Sequence, residues 1–365
     1  LSLTVTHQKY PAFYQERHKK ADGSWVESNM PMTEAMMLPD VVLDALHKAL
    51  LPIVPKVFGM HCELDRRGDS VPKLNKHRIL IQSPVISWQQ SCELVVGAFT
   101  SFQPELGAQV RSLINDPSLL RLSQVSAGQA EGICIAPGYE AEGHAPGIVY
   151  EYDLTINDPI YLAHELGHFA SDSLIQQTGL LRDDALMPPS LREIPAMVTQ
   201  HLMYEYLSGQ ADPGLANAAR KHFVGEVTGA LYRLSVAFAG SATDQSSDEE
   251  QYGQAIQENL GTNWRYFVPA RDKMFGARQL HKHNSALVLA YGLLEYIQQQ
   301  PKEPRVFDEI FARGSKANIL EILGQCGIHD KAALVDFFSQ AVKGIAAPLE
   351  QIYQEQAIAS KEYTR

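Results

Sequence analysis

The chain has 365 residues, 45% of them hydrophobic and 20% charged, with 31 basic against 42 acidic side chains and a net charge of −11. This is ordinary globular composition, which excludes disordered, collagen-like and coiled-coil classes. The acidic balance without a basic stretch argues against nucleic acid or an anionic membrane as partner, and no apolar run approaches the length of a membrane-spanning helix.

In chain order, residues 1–32 are polar, and Gly23, Ser24 and Ser28 break any period, so they read as an arm or remnant ahead of one domain over 33–365. The first residue is Leu, and the stretch lacks the charged, apolar and small-residue order of a signal peptide. From Thr33 to about Met60 the pattern is helical, interrupted by Pro39, Pro52 and Pro55. Arg78–Ser83 alternates and predicts a short strand. Ser87 to about Ile114 predicts a long helical stretch containing Pro104. Gly132–Ala136 and Ile148–Leu154 read as two strands joined by a Pro/Gly-rich loop that carries His144. Beyond residue 158 nearly everything reads as helix, over 159–178, 191–208, 214–240, 276–300 and 330–356. The expected fold is α+β and predominantly helical, with a small antiparallel sheet in the middle enclosed by helices. Cys62, Cys92, Cys134 and Cys326 lie far apart with no CxxC pair, as expected of reduced, mostly buried thiols in a cytoplasmic protein.

His164-Glu165-Leu166-Gly167-His168 fits H-E-x-x-H. Residues four apart share one face of a helix, so both imidazoles can reach one zinc ion. Glu165 projects beside the metal, where it can take a proton from water. The helical premise has local support. Asp158 is a good N-cap residue, Pro159 suits the first helical position, and Gly179 supplies a stop. Catalytic zinc takes three protein groups and keeps one open position, so a third ligand is required.

Glu193 falls 25 residues after His168, at the start of a second helix, after a loop with Gly179, Asp183, Asp184, Pro188 and Pro189. Two antiparallel helices would bring it to the metal. Ser190-x-x-Glu193 is also a capping box, which would tie Glu193 to its own helix terminus. Pro195 weakens that reading, because its missing N–H breaks an early helix bond. Asp172 or Asp184 could hold a ligand imidazole by its other nitrogen. His201 reads as a packing residue or a support for the site, His61 as structural, and Asp244–Glu250 as a solvated loop.

YLAHELGHFASDSL followed by REIPAMVTQHLMYEYL resembles the M3 metallopeptidases, the thimet oligopeptidase and oligoendopeptidase F group. His164, Glu165, Gly167, His168, Glu193 and Pro195 match that group's pattern, and GICIAPGY, GIVYEYDL and ISWQQSCELVVGAFTSFQPELG resemble its preceding segments. The resemblance covers roughly residues 70–300 and implies a zincin-type catalytic domain. One zinc would be held by His164, His168 and Glu193, with Glu165 as general base and a peptide or unfolded polypeptide as substrate. It also implies a histidine and several tyrosines that touch the substrate carbonyl. In ARQLHKHNSALVLAYGLLEYI, His281 is the better positional match and His283 the alternative, and Tyr291 and Tyr296 are the tyrosines that remain. The edge of the strand Ile148–Leu154, with Tyr150 and Tyr152, would hold the substrate backbone by strand addition. The group's N-terminal helices roof a deep channel, whereas the matching region here starts near residue 70, so a more open cleft is expected. Two alternatives stay open: an inactive interaction protein of the same fold, and a zinc hydrolase of a non-peptide amide.

Overall fold

The computed structural model describes residues 13–19, 25–31, 37–57, 59–60, 84–135, 146–177, 189–242, 283–299 and 318–362. The N-terminal part contains a hairpin where the sequence reads as irregular. Strand β1 (Phe13–Lys19) pairs antiparallel with β2 (Trp25–Pro31), in a register that sets Glu16 opposite Ser28. The expected strand Arg78–Ser83 lies outside the described residues.

Helix α1 (Asp40–Leu50) follows Pro39 and buries Val42, Leu43, Leu46 and Leu50. Helix α2 (Trp88–Phe102) is capped by Ser87, whose hydroxyl accepts from the Gln90 N–H at 3.1 Å. The long helix expected over 87–114 is two helices. Gln103 turns extended, and α3 (Pro104–Ile114) starts with Pro104 in its first turn. Proline suits that position because its absent N–H would be unpaired there in any residue.

The sheet is three-stranded and mixed, in the order β3-β5-β4, which corrects the antiparallel expectation. Strand β3 (Leu120–Gln124) runs parallel to β5 (Gly147–Tyr152), and β4 (Glu131–Ile135) runs antiparallel to it. β5 is therefore the central strand and has no free edge. Strand addition onto Ile148–Leu154 is ruled out because both of its sides are already paired.

Among the described residues six helices follow the sheet: α4 (Asn157–Gln177), α5 (Pro189–Ser208), α6 (Pro213–Ala242), α7 (His283–Gln299), α8 (Ile319–Gln325) and α9 (Lys331–Glu362). α4 packs against α5 and the sheet, and α5 packs in turn against α7 and α6. α1 and α7 both lie on α9, and one continuous core runs from Leu38 to Ile352. The fold is α+β and predominantly helical. Cys134 and Cys326 are buried and Cys92 is partly buried, with no disulfide among them. Burial pushes the Cys92 thiol up to about 12, so it stays protonated. Among the described residues no helix is long and apolar enough to cross a membrane.

Candidate metal centre

The turn from β5 into α4 fixes where the H-E-x-x-H face begins. Leu154 takes a left-handed φ of 60°, a conformation that costs energy for a side chain with a Cβ. The Asp158 carboxylate holds it there, accepting the N–H groups of Asp153 at 3.0 Å and Leu154 at 2.8 Å. Asp158 therefore secures the preceding turn rather than capping its own helix as expected. α4 then buries Ile160, Leu162, Ala163 and Leu166.

α5 crosses α4 at Gly167. A Cβ there would lie 2.7 Å from the Ala196 Cα and 2.8 Å from the Pro195 carbonyl oxygen, both backbone atoms. Only glycine permits this approach. Thr199 locks the crossing, its hydroxyl donating to the Ala163 carbonyl on α4 at 2.8 Å. A buried hydrogen bond of this kind contributes about 1 kcal/mol. The consequence lies one turn away, where Glu193 faces the histidines.

Glu193 Oε2 is 3.5 Å from Nε2 of His164, 3.5 Å from Nε2 of His168 and 3.1 Å from Nδ1 of His283. The capping-box alternative fails, since Ser190 Oγ is buried with no hydrogen-bond partner while the Glu193 carboxylate faces the three rings. His164, His168 and Glu193 each offer one donor atom, all within 4.8 Å of one another. Burial pushes the Glu193 carboxyl up, but the three imidazoles beside it outweigh this and hold the group well below the usual carboxylate range. Burial pulls the His164 imidazole down, yet Glu193, Glu165 and Gln200 together raise it.

Metal-site imidazoles are oriented through their second nitrogen. For His164 that partner is Gln200, whose Oε1 lies 2.9 Å from Nδ1. Sequence reading missed Gln200, although it stands seven residues after Glu193, two turns along the same helical face. Asp172 is buried, with Cys134 Sγ 3.8 Å from its Oδ2. Asp184, His61 and His144 lie outside the described residues, as does Asp244–Glu250.

Glu165 is 8% exposed and sits under β4. A Cβ on Gly132 would fall 2.5 Å from Glu165 Cγ and 3.0 Å from a Tyr150 ring carbon. This glycine, too, was missed, and its signal was only a small residue inside a strand. Among the described residues β4 is the outer strand beside the carboxylate, so the pairing edge next to the site there belongs to Glu131–Ile135.

Several expected site residues lie elsewhere. Tyr150 is fully buried, its hydroxyl donating to the Asp158 carbonyl at 3.2 Å and its ring 5.6 Å from Trp88, so it has no surface to offer a substrate. Tyr152 packs on the same indole at 5.2 Å, on the α2 side of the sheet. Tyr291 stands eight residues after His283, about 12 Å along α7, where it packs on His201 at 5.2 Å and against Gly344 of α9. It is a packing residue, and Tyr296 likewise packs against the core. His201 is buried among Tyr204, Phe223 and Tyr291, and desolvation pulls its imidazole down to about 4. His281 lies outside the described residues, and the histidine beside the carboxylate is His283, with a 39% exposed side chain.

No protein-family model matches the chain, and no curated protein matches it. Among solved structures, a candidate peptidase from Chlamydophila abortus superposes with a TM-score of 0.57 at 14% identity, covering 85% of this chain and 56% of that one. A candidate oligoendopeptidase F superposes with a TM-score of 0.52 at 15% identity, covering 86% and 58%. This chain thus spans a little over half the length of either neighbour and shares their fold.

Proposed function

We propose that this chain is a zinc-dependent peptidase that cleaves extended peptide segments, with His164, His168 and Glu193 as metal ligands and Glu165 as general base. The observation that carries the reading is the spacing of the donors. Zinc bound at 2.0–2.1 Å puts tetrahedral ligand atoms about 3.3 Å apart, and Glu193 Oε2 stands 3.5 Å from each imidazole nitrogen. The donor set of two imidazoles and a carboxylate is one that zinc favours. The two solved neighbours, both described as peptidases, support a peptide as substrate.

When bound, zinc supplies Lewis-acid polarisation and brings the pKa of water down towards about 7. The chain's own residues divide the remaining work. Gln200 orients the His164 ring. Glu165 accepts the proton of the attacking water and delivers it to the departing amine nitrogen. His283, beside Glu193 and partly exposed, donates to the carbonyl oxygen as that atom becomes negative. The β4 edge, directly over Glu165, pairs with an extended substrate backbone.

Metal analysis combined with a peptide assay tests the assignment. The parent should hold one zinc per chain. Glu165→Gln should keep it while turnover falls about 10²–10⁴-fold, the usual contribution of a general base. Near-parental turnover by the zinc-loaded variant would overturn Glu165 as base, and a parent that holds no zinc would overturn the metal reading.

A further inference from the structure

Helices α5, α6 and α7 enclose a small cavity that the proposed chemistry does not use. Gln200, His201 and Tyr204 of α5, Glu226 and Val227 of α6 and Leu287 of α7 line it. Leu287 stands one turn after His283, so the cavity lies one turn along α7 from the carboxylate of Glu193. Its walls leave about 10 Å³ for the centre of a water-sized molecule, which is room for one water and nothing larger.

The polarity of the wall is what sets this cavity apart from a packing defect. Cavities that stay dry are apolar, whereas four of these side chains carry polar atoms. His201 is 5% exposed, with the rings of Phe223 and Tyr291 edge-on at 5.5 and 5.2 Å. Its Nε2 is buried and has no hydrogen-bond partner among the described residues. A polar atom left unmet in so desolvated a place costs more than an ordinary hydrogen bond contributes. The other polar groups are partly committed. The Tyr204 hydroxyl is 2.7 Å from His222 Nδ1, Glu226 Oε1 accepts the Tyr161 hydroxyl at 3.4 Å, and Gln200 Oε1 meets His164 Nδ1 at 2.9 Å. A hydroxyl and a carboxylate with one bond each keep capacity for another.

We infer that this cavity is a binding site for one ordered water molecule, held by His201 Nε2 together with the polar side chains of α5 and α6 that line the same space. Water suits the imidazole in either tautomer, because it can donate to a lone pair or accept from an N–H. Bound there, it links α5 to α6 through the core as a structural part of the fold. The inference goes beyond the zinc reading and does not depend on it.

Two measurements test the site. A crystal structure of the parent at a resolution that orders internal waters should show a single water within about 3.2 Å of His201 Nε2. The second is a double-mutant cycle read by thermal midpoint. Val227→Leu adds a methylene to the wall, expels the water and strands Nε2, so the midpoint should fall by about 2–4 °C. His201→Phe keeps a ring between Phe223 and Tyr291 but has no polar nitrogen to strand, and in that background Val227→Leu should cost nothing. A cavity without ordered water would overturn the site. So would the same midpoint shift in both backgrounds, which would mean that the added methylene acts by crowding or filling alone. Neither readout involves a metal, so a chain that holds no zinc sinks the zinc reading and leaves the water site to be decided by its own measurements.

Discussion

At the scale of single residues, the site is defined as much by missing atoms as by functional groups. Gly132 illustrates this, because a methyl group there would occupy the space of the Glu165 side chain. In Gly132→Ala, Glu165 must move, while His164, His168 and Glu193, held by other contacts, stay where they are. The expected outcome is zinc binding close to the parent's with peptidase turnover at least tenfold lower, read from one preparation by metal titration and assay. Equal turnover would show that the β4–Glu165 contact is irrelevant to catalysis. The H-E-x-x-H pair and Glu193 were legible because helical periodicity turns sequence spacing into geometry. The tyrosines were not. Tyr150 alternates correctly and shares the face of Glu165, but alternation does not tell a residue that lines a cleft from one buried beneath it. Tyr291 matches a tyrosine-bearing segment, yet one helical turn decides between a cleft and a core. Gln200 carried only a weak signal, its place on the Glu193 face of α5, since the ring it orients lies 36 residues away.

At the scale of elements, the crossing of α4 and α5 determines whether the three donors converge. Gly167 is the contact point, facing the backbone of Pro195 and Ala196. Gly167→Ala would gain helix propensity on α4, up to about 1 kcal/mol. It would also force the helices apart, and overpacking of this kind costs about 1–3 kcal/mol. The crowding should win, because the neighbours are main-chain atoms that no rotamer change can relieve. A lower thermal midpoint is expected, together with weaker zinc binding, since Glu193 recedes with α5. A variant of raised midpoint and unchanged affinity would contradict the role given to the crossing. Most helices were legible to within a few residues because their apolar period is local information. The break at Gln103–Pro104 was readable from the proline but was absorbed into a longer period. The sheet was read less well. Whether strands run parallel, and which is central, depends on pairing between distant segments, and the five residues of β3 carry too little pattern to mark a partner. The β1–β2 hairpin flanks an Asp22-Gly23 pair, a common hairpin signal that was taken only as a breaker.

For the whole molecule, the turn between sheet and helices joins the two layers through buried carboxylates, and this gives global stability an unusual pH dependence. Asp158 is fully buried. Desolvation pushes its carboxyl up, the Asp153 carboxylate beside it adds to the rise, and the N–H groups of Asp153 and Leu154 only partly offset this, leaving it at about 7. An unfolded aspartate titrates near 3.9. Between these values the native state holds a proton that the unfolded chain has lost, so stability must fall as pH rises. The contribution is fully present below about pH 4 and gone above about pH 7. Carboxylates held in ion pairs act in the opposite sense, so the whole-protein curve mixes the two, and a difference measurement isolates this site. Asp158→Asn cannot titrate, and it weakens the Leu154 turn by a pH-independent amount. The stability of the parent minus that of the variant, from denaturant midpoints, should decline from pH 4 to pH 7 and stay flat from pH 7 to pH 9. A difference that is constant, or that grows with pH, would mean that the Asp158 carboxylate is fully stabilised in the folded protein, and that the sheet-to-helix turn is held by a charge rather than by a proton.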